Sequence, residues 1–165
     1  MRLARPGELS QILAVYEDAR GFMAENGNPD QWGRNGYPSA ELLEKDVDLG
    51  RLFVILRNGR IAAAFVLFIG DEPTYRVINE GNWLNDKPYL TVHRLGSVKD
   101  EHGLAKECLD FAVSICREKG LDLRADTHRK NLPMRHILEK YGFTYCGLIF
   151  VADGTERMAY QLRID

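Results

Sequence analysis

The chain has 165 residues and a mass of 18.8 kDa, with 22 Lys and Arg against 24 Asp and Glu, and therefore a net charge of −2. This length predicts one domain over residues 1–165, and the near-balanced charge argues against nucleic acid as a partner. The longest apolar runs fall short of the roughly 18 residues that span a bilayer, so we expect no membrane partner. Three cysteines without a CxxC pair suit neither a disulfide framework nor a zinc ribbon, so we expect a cytoplasmic protein.

Hydrophobic periodicity and turn signals divide the chain into strands and helices. Apolar residues recur at helical spacing from Leu9, and Ser39 is a typical N-cap. Asn58-Gly59 and Asp153-Gly154 each separate two apolar runs, which predicts two β-hairpins because these residues tolerate positive φ. Residues 70–88 predict no regular element. The expected elements are strand 2–5, helix 7–25, helix 39–48, strands 52–56, 61–69 and 89–98, helix 103–119, strand 121–127, a short helix from Asn131 to Gly142, and strands 143–151 and 156–164.

This order of elements predicts the fold class. It is α/β, with one mixed, mostly antiparallel sheet of about seven strands and helices on both faces. Along the strand at 121–127, Leu121, Leu123 and Ala125 are expected to point inward in alternation. Cys108 and Cys116 fall on the apolar face of the preceding helix, which favours a place in the core over a nucleophilic role.

The chemistry begins where the strand from Tyr89 runs through a short turn into the helix at 103. Gly103 and Ala105 keep the start of this helix small, so its backbone N–H groups and its dipole are accessible to an anion, most simply a pyrophosphate. An ordinary tight strand-to-helix turn has the same residues. On these residues alone, both interpretations stay open.

This segment resembles the GNAT superfamily of N-acetyltransferases. Their first signature, Gln/Arg-x-x-Gly-x-Gly/Ala, lies at the start of the helix after the fourth strand. Gly103 and Ala105 fit it, whereas Asp100 stands where Gln or Arg is expected. The order of elements also agrees over essentially the whole chain, including the closing hairpin.

A second GNAT signature, Asn-x-x-Ala-x-x-Leu-Tyr-x-x-x-Gly-Phe, occurs with the same spacing. Asn131, Gly142 and Phe143 match it, while Met134 and Leu138 depart from it. In many relatives the tyrosine of this motif assists the thiolate leaving group, and its place here is taken by Leu138. Tyr141 is the nearest replacement, although a helix-end tyrosine packed under Phe143 is the alternative interpretation.

The resemblance implies acetyl-CoA as the acetyl donor. In such folds the fourth strand splays from the fifth, and the pantetheine arm lies in the gap. By position, the main-chain groups of His93, Arg94 and Leu95 would face the arm, and the side chain of Asn131 would reach it. The pyrophosphate would be wrapped by the turn and the start of the helix, namely Glu101, His102, Gly103, Leu104, Ala105 and Lys106. The carboxylates of Asp100 and Glu101 would repel it, and His102 and Lys106 would offset that repulsion.

Acetyl transfer needs a neutral amine, a donor for the oxyanion and a proton for the leaving thiolate. His93 is the candidate base, because it lies on the strand that should border the acetyl group and a histidine can titrate near pH 7. A core histidine bonded to a main-chain carbonyl is the alternative. By strand parity Arg94 faces away from His93 unless a bulge intervenes. His128 and His136 lack a third ligand, so no metal is expected.

The loop at 26–38 follows the first helix, and in the resembled fold this loop borders the acceptor pocket. Gln31, Trp32 and Tyr37 in this loop, together with Trp83, are therefore candidates for walls of a substrate site. Each aromatic residue could instead cover an edge of the core.

We therefore interpret the chain as an acetyl-CoA-dependent N-acetyltransferase, an acyltransferase acting on a small-molecule or peptide amine, as a monomer or homodimer. Asp100 and Leu138 replace expected groups, which leaves open a non-catalytic acyl-CoA-binding or regulatory module. A nucleotide-binding protein that uses the same strand-to-helix turn is a third possibility.

Overall fold

The structure is a computed structural model that describes residues 1–32 and 35–165. Seven strands and four α-helices are present in these residues, in the predicted order. A 3₁₀ turn within residues 70–88 is the one addition. The elements are β1 (Arg2–Leu3), α1 (Leu9–Glu25), α2 (Ala40–Asp48), β2 (Leu52–Arg57), β3 (Arg60–Ile69), the 3₁₀ turn (Pro73–Tyr75), β4 (Tyr89–Ser97), α3 (Leu104–Lys119), β5 (Asp122–Thr127), α4 (Leu132–Tyr141), β6 (Thr144–Phe150) and β7 (Glu156–Leu162).

The strands form one mixed sheet in the order β1-β2-β3-β4-β5-β7-β6. The β4–β5 pair is parallel, and its register runs from the Tyr89–Asp122 pair to the Val92–Ala125 pair. The pairs β1–β2, β2–β3, β5–β7 and β6–β7 are antiparallel. The predicted α/β class with a mixed, mostly antiparallel sheet is confirmed.

Local signals in the sequence explain where the elements begin and end. The Ser39 hydroxyl oxygen accepts a hydrogen bond from the Leu42 N–H at 3.2 Å, which caps α2 as predicted. Asn58 and Gly59 have φ of 50° and 78°, so both residues of the β2–β3 turn are left-handed, as a type I′ hairpin requires. Gly142, with φ of 111°, ends α4 in the left-handed region that favours glycine.

The chain divides into two compact units. Unit 1 comprises Met1–Leu67 and His93–Cys108, and unit 2 comprises Phe68–Val92 and Leu109–Asp165. The core of unit 1 packs the buried faces of α1 and α2 against β2 and β3. Its fully buried members include Ile12, Tyr16, Leu43, Leu52, Val54 and Ala64.

In unit 2, β5 is buried on both faces, which corrects the predicted alternation. Leu121, Leu123 and Ala125 are buried as expected, but Asp122 and Arg124 between them are also buried. The reason is that residues 70–88 supply groups to the second face. The Asn85 side chain donates to an Asp122 carboxylate oxygen at 2.7 Å, and the Arg124 guanidinium donates to the Asn85 carbonyl at 3.0 Å.

Candidate functional site

The turn between β4 and α3 lies in unit 1 and is anchored at its start. The Val98 N–H donates to the Ala62 carbonyl at 2.9 Å, and the Lys99 N–H donates to an Asp18 carboxylate oxygen at 3.0 Å. Gly103, just before α3, has φ of 79°, and a Cβ placed there would meet no atom within 4 Å. The backbone at the N-terminus of α3 therefore borders open space, where the first turn of a helix presents N–H groups to an anion.

The charges around this turn are partly neutralised. Glu107, in the first turn of α3, forms an ion pair with Arg57. His102 and Lys106 are exposed, whereas Glu101 is partly buried. The geometry of this turn fits a pyrophosphate, because the small residue, the helix start and two exposed basic side chains occur together.

The middle of β4 departs from regular strand geometry at Arg94. Its φ is 51°, a left-handed conformation that is rare for a residue with a side chain. The Tyr16 hydroxyl donates to the Arg94 carbonyl at 2.7 Å, so this carbonyl, one of the main-chain groups predicted to face the pantetheine arm, already accepts a hydrogen bond. The simple alternation that sets His93 and Arg94 on opposite faces does not hold at this point.

Aromatic residues of the loop after α1 gather beside Arg94. The ring centroids of Tyr16 and Trp32 are 5.7 Å apart, and those of Trp32 and Tyr37 are 6.2 Å apart. The Arg94 guanidinium carbon lies 5.8 Å from the Tyr37 ring centroid. Gln31 accepts a hydrogen bond from the buried Asn28 at 2.7 Å. Trp32 and Tyr37 of the predicted acceptor loop thus gather near Arg94 of β4, whereas Gln31 is bonded to Asn28 of the same loop. Gly33 and Arg34 of this loop lie outside the described residues.

Asp46 is a buried charge that the sequence analysis missed. Its side chain is fully buried in α2, and one carboxylate oxygen accepts from the Arg51 Nε at 2.7 Å. The other oxygen lies 3.4 Å from the Arg94 Nη1. Asp46 follows Leu43 by three residues, so it falls on the apolar face of α2; a carboxylate in that position was the signal available in the sequence.

Trp83 lies in unit 2, in a cluster built on Arg124. The Trp83 Nε1 donates to the Tyr75 carbonyl at 2.9 Å. The Arg124 guanidinium carbon lies 4.0 Å from the ring centroids of both Trp83 and Tyr89. These contacts stabilise the packing of residues 70–88 over β5. They give Trp83 a packing function, and its substrate-binding role stays a prediction.

Tyr141 and Asn131 are also in unit 2. The Tyr141 hydroxyl donates to an Asp110 carboxylate oxygen at 2.8 Å, and its ring packs against Phe143 with centroids 6.1 Å apart. Burial, together with this bonded carboxylate, raises the pKa of Tyr141 to about 12. The Asn131 side chain accepts from the Met134 N–H at 3.2 Å and caps α4. The catalytic role of Tyr141 and the cofactor contact of Asn131 both stay predictions.

The three cysteines are unpaired by disulfides and buried. Burial raises the pKa of the Cys116 thiol to about 12 and raises that of Cys108 well above its ordinary value. Both thiols therefore stay protonated at neutral pH, as the predicted core positions require. In the described residues, no three His, Cys, Asp or Glu side chains form a group suited to a metal ion. None of the helices there has the length and apolar character that crossing a membrane requires.

Comparison with known proteins agrees with this architecture. The sequence model of the Acetyltransferase (GNAT) family matches residues 12–143. A GNAT-family acetyltransferase structure from Streptococcus agalactiae 2603 is 38% identical, with a TM-score of 0.86 over 99% of this chain and 94% of that one. A putative acetyltransferase from Staphylococcus aureus Mu50 is 23% identical, with a TM-score of 0.73 over 99% and 98% of the two chains.

A more distant neighbour was solved with a cofactor. The NatC complex bound to Gag peptide and CoA contains a chain that is 10% identical, with a TM-score of 0.68 over 100% of this chain and 96% of that one. This likeness concerns the fold. No curated protein matches the chain significantly.

Proposed function

Since the chain belongs to the GNAT family of acetyltransferases, we propose that it transfers an acetyl group from acetyl-CoA to the amine of a small molecule or peptide. The observation that carries this proposal is the turn at Gly103. There a left-handed glycine with open space beside it leads into the N-terminus of α3. A helix start of this kind suits the pyrophosphate of a CoA.

The remaining assignments follow the chain's own residues. Glu101 to Lys106 hold the pyrophosphate, with Lys106 supplying positive charge and the His102 ring an N–H donor. The backbone of β4 from His93 to Leu95 orients the pantetheine arm, and the Asn131 amide group assists. The four-pair β4–β5 ladder that ends at Val92 supports this, since the β4 main chain beyond it lies outside that ladder.

Acetyl-CoA, when bound, supplies a thioester carbonyl carbon for attack. The acceptor nitrogen forms the new C–N bond as the C–S bond breaks, and the sulfur leaves as a thiolate. His93 takes the proton that the amine loses, and the thiolate takes a proton from Tyr141 or from water. Trp32, Tyr37 and Gln31 position the acceptor beside β4 and shield it from solvent.

The test is a matched pair of substitutions at Gly103. Gly103→Ala and Gly103→Glu share the strain of a side chain at φ of 79°, and neither Cβ meets a neighbour. They differ in the bulk and negative charge that only Glu adds. Calorimetric titration with CoA should give a dissociation constant at least about tenfold weaker for Glu than for Ala. Equal affinities for CoA in two folded variants would show that the pyrophosphate does not bind at this turn.

A non-catalytic acyl-CoA-binding module is the second candidate, favoured by one observation. Leu138, at the position of the family's tyrosine, is only 1% exposed, and the hydroxyl hydrogen of nearby Tyr141 is donated to Asp110. Release of free thiol from acetyl-CoA in the presence of an amine panel separates the two candidates. Thermal stabilisation by CoA without thiol release would favour the binding module. Stabilisation by ATP but not CoA would favour a nucleotide-binding protein.

We further propose that both units form one catalytic domain in the cytoplasm. The family match over residues 12–143 draws on both units, which supports one domain. Three buried free thiols suit a reducing compartment. Size-exclusion chromatography with light scattering distinguishes a monomer from a homodimer.

A further inference from the structure

Arg94 holds a guanidinium whose hydrogen-bonding capacity is not used within the described part of the chain. Its side chain is 14% exposed, and its Nε is buried without a hydrogen-bond partner there. Its Nη1 lies 3.4 Å from an Asp46 carboxylate oxygen, and that oxygen also has no hydrogen-bond partner. The contact is therefore an ion pair without a hydrogen bond. A guanidinium has five N–H donors in a planar fork, and because the Nε is buried, the donors of Arg94 that a ligand would meet are those on its Nη atoms.

Arg94 shares its carboxylate partner with a second cation. Asp46 is the carboxylate within ion-pair distance of Arg94, and its other oxygen is engaged by Arg51 at 2.7 Å. Arg51 and Arg94 thus both contact one buried carboxylate. A carboxylate on a ligand would give Arg94 an anionic partner of its own, whereas a cationic polyamine would be repelled.

The position of Arg94 ties this charge to the acceptor side of the proposed reaction. Arg94 follows the candidate base His93 directly, and its guanidinium carbon lies 5.8 Å from the Tyr37 ring centroid. Its left-handed φ of 51° is held by the hydrogen bond from Tyr16 to its carbonyl. A strained residue that the surrounding structure maintains often marks a functional position.

We propose that Arg94 binds the carboxylate of the acceptor, so that the acceptor amine belongs to a free amino acid or an amino-acid-like compound. This inference rests on the proposed acetyltransferase function. The guanidinium would donate two parallel hydrogen bonds to the carboxylate oxygens, while Trp32 and Tyr37 contact the side chain of the amino acid. Asp46, itself bonded to Arg51, would hold the guanidinium on the side opposite the ligand.

The kinetic test compares acceptors that carry either a carboxylate or a carboxamide. Because the carboxamide lowers the pKa of the neighbouring amine, each kcat/KM is expressed per neutral amine. L-leucine, L-methionine and L-phenylalanine are each assayed beside the corresponding carboxamide. The wild-type protein should favour at least one acid over its amide by about tenfold or more in kcat/KM, as expected for a charge-assisted hydrogen bond. Arg94→Gln should bring this ratio close to one, mainly through KM. Arg94→Lys should give an intermediate ratio, because it keeps the charge but loses the fork.

The matched control is Arg60→Gln. Arg60 is exposed at the β2–β3 hairpin of the same unit, so this variant removes one positive charge away from the site. It should keep the wild-type preference for the acid. A ratio that falls equally in both variants would mean that general charge, and not Arg94, selects the carboxylate.

An equilibrium measurement keeps the inference separate from catalysis. Calorimetry compares binding of the N-acetylated forms of the same three amino acids with that of their N-acetyl carboxamides. At least one acid should bind about tenfold more tightly than its amide in the wild type, and this difference should vanish in Arg94→Gln. Loss of CoA binding alone would count against the proposed function and leave this result unaffected.

Three outcomes would overturn the proposal. The first is that no acid is favoured over its amide in either assay. The second is a preference that survives in a folded Arg94→Gln variant. The third is that inorganic phosphate binds at Arg94 and displaces an N-acetyl amino acid at a lower concentration than a second N-acetyl amino acid does. This result would make the site a phosphate site.

Discussion

Gly96→Ala should show how closely α1 approaches β4. A Cβ at Gly96 would lie 2.9 Å from Cδ1 and 3.0 Å from Cε1 of Tyr16, and 3.4 Å from the Cβ of Ala19. Normal carbon–carbon contacts are about 3.5–4.0 Å, so the Tyr16 ring would have to move. This ring is fully buried and its hydroxyl is bonded to the Arg94 carbonyl, so any movement disturbs the left-handed turn of β4.

The expected loss has two parts. Overpacking in a dense core costs about 1–3 kcal/mol. Weakening the hydrogen bond between Tyr16 and Arg94 adds about 1 kcal/mol. Reduced freedom of the unfolded chain returns about 0.4–1 kcal/mol, because Ala is less flexible than Gly. The net destabilisation should be about 2 kcal/mol, which for a chain of this length lowers Tm by roughly 4–8 °C.

Gly21→Ala is the matched control in the same unit. Gly21 lies inside α1, is exposed, and has open space where an added Cβ would stand. The same substitution there should stabilise the protein by about 0.5–1 kcal/mol, because Ala is the better helix former. Urea unfolding followed by circular dichroism gives both free energies of unfolding.

Opposite signs for the two glycines are the expected result. If Gly96→Ala matches the wild type while Gly21→Ala is more stable, the ring of Tyr16 is free to retreat, and the argument that α1 holds β4 at Arg94 fails. The acceptor KM should rise in Gly96→Ala, since Arg94 depends on Tyr16, while the CoA dissociation constant changes less.

Two further predictions concern Glu8 and His93. The Arg2 guanidinium donates to both oxygens of Glu8 and holds the pKa of this carboxyl at about 2, below its unfolded value. The ion pair therefore stabilises the folded protein at neutral pH, and this stabilisation is lost as the pH falls from about 4 towards 2. Glu8→Gln should therefore lower the free energy of unfolding by about 1 kcal/mol at pH 7, and urea titrations should show this difference shrinking with acidification; a constant difference would contradict the ion pair. His93→Gln should lower kcat by roughly a hundredfold while CoA still binds; a wild-type kcat in this variant would make His93 a structural residue.

Most of the fold follows from signals that act over a few residues. The Asn58-Gly59 turn, the Ser39 cap and the Gly142 stop depend on local backbone preferences, and each lies where the sequence predicts it. The burial of β5 does not follow, because it depends on residues 70–88. These residues have no periodicity, and only the folded chain brings Asn85 to Asp122 and Arg124.

The candidate site divides in the same way. The turn at Gly103 can be predicted from the sequence because a glycine and a helix start are adjacent in the chain. Asp46 and Arg94 are not, since they belong to α2 and β4 and meet only after folding. The left-handed φ of Arg94 has no local signal either, because an arginine carries no preference for that region and the hydrogen bond from Tyr16 comes from a distant helix.

Arg94 is held at both ends by different helices, and this arrangement bears on how acceptor selectivity could change. Its carbonyl accepts a hydrogen bond from Tyr16 of α1, and its guanidinium lies at ion-pair distance from Asp46 of α2, which is hydrogen-bonded to Arg51. Because Asp46 is fully buried, it cannot itself meet a ligand, and its contact with Arg94 orients the guanidinium. If Arg94 binds the acceptor as proposed, replacing Asp46 would let the guanidinium move, whereas replacing Arg51 would leave Asp46 to Arg94 and strengthen that ion pair. Two substitutions that never touch the acceptor would therefore alter its binding in different ways, one by loosening Arg94 and the other by drawing it towards Asp46.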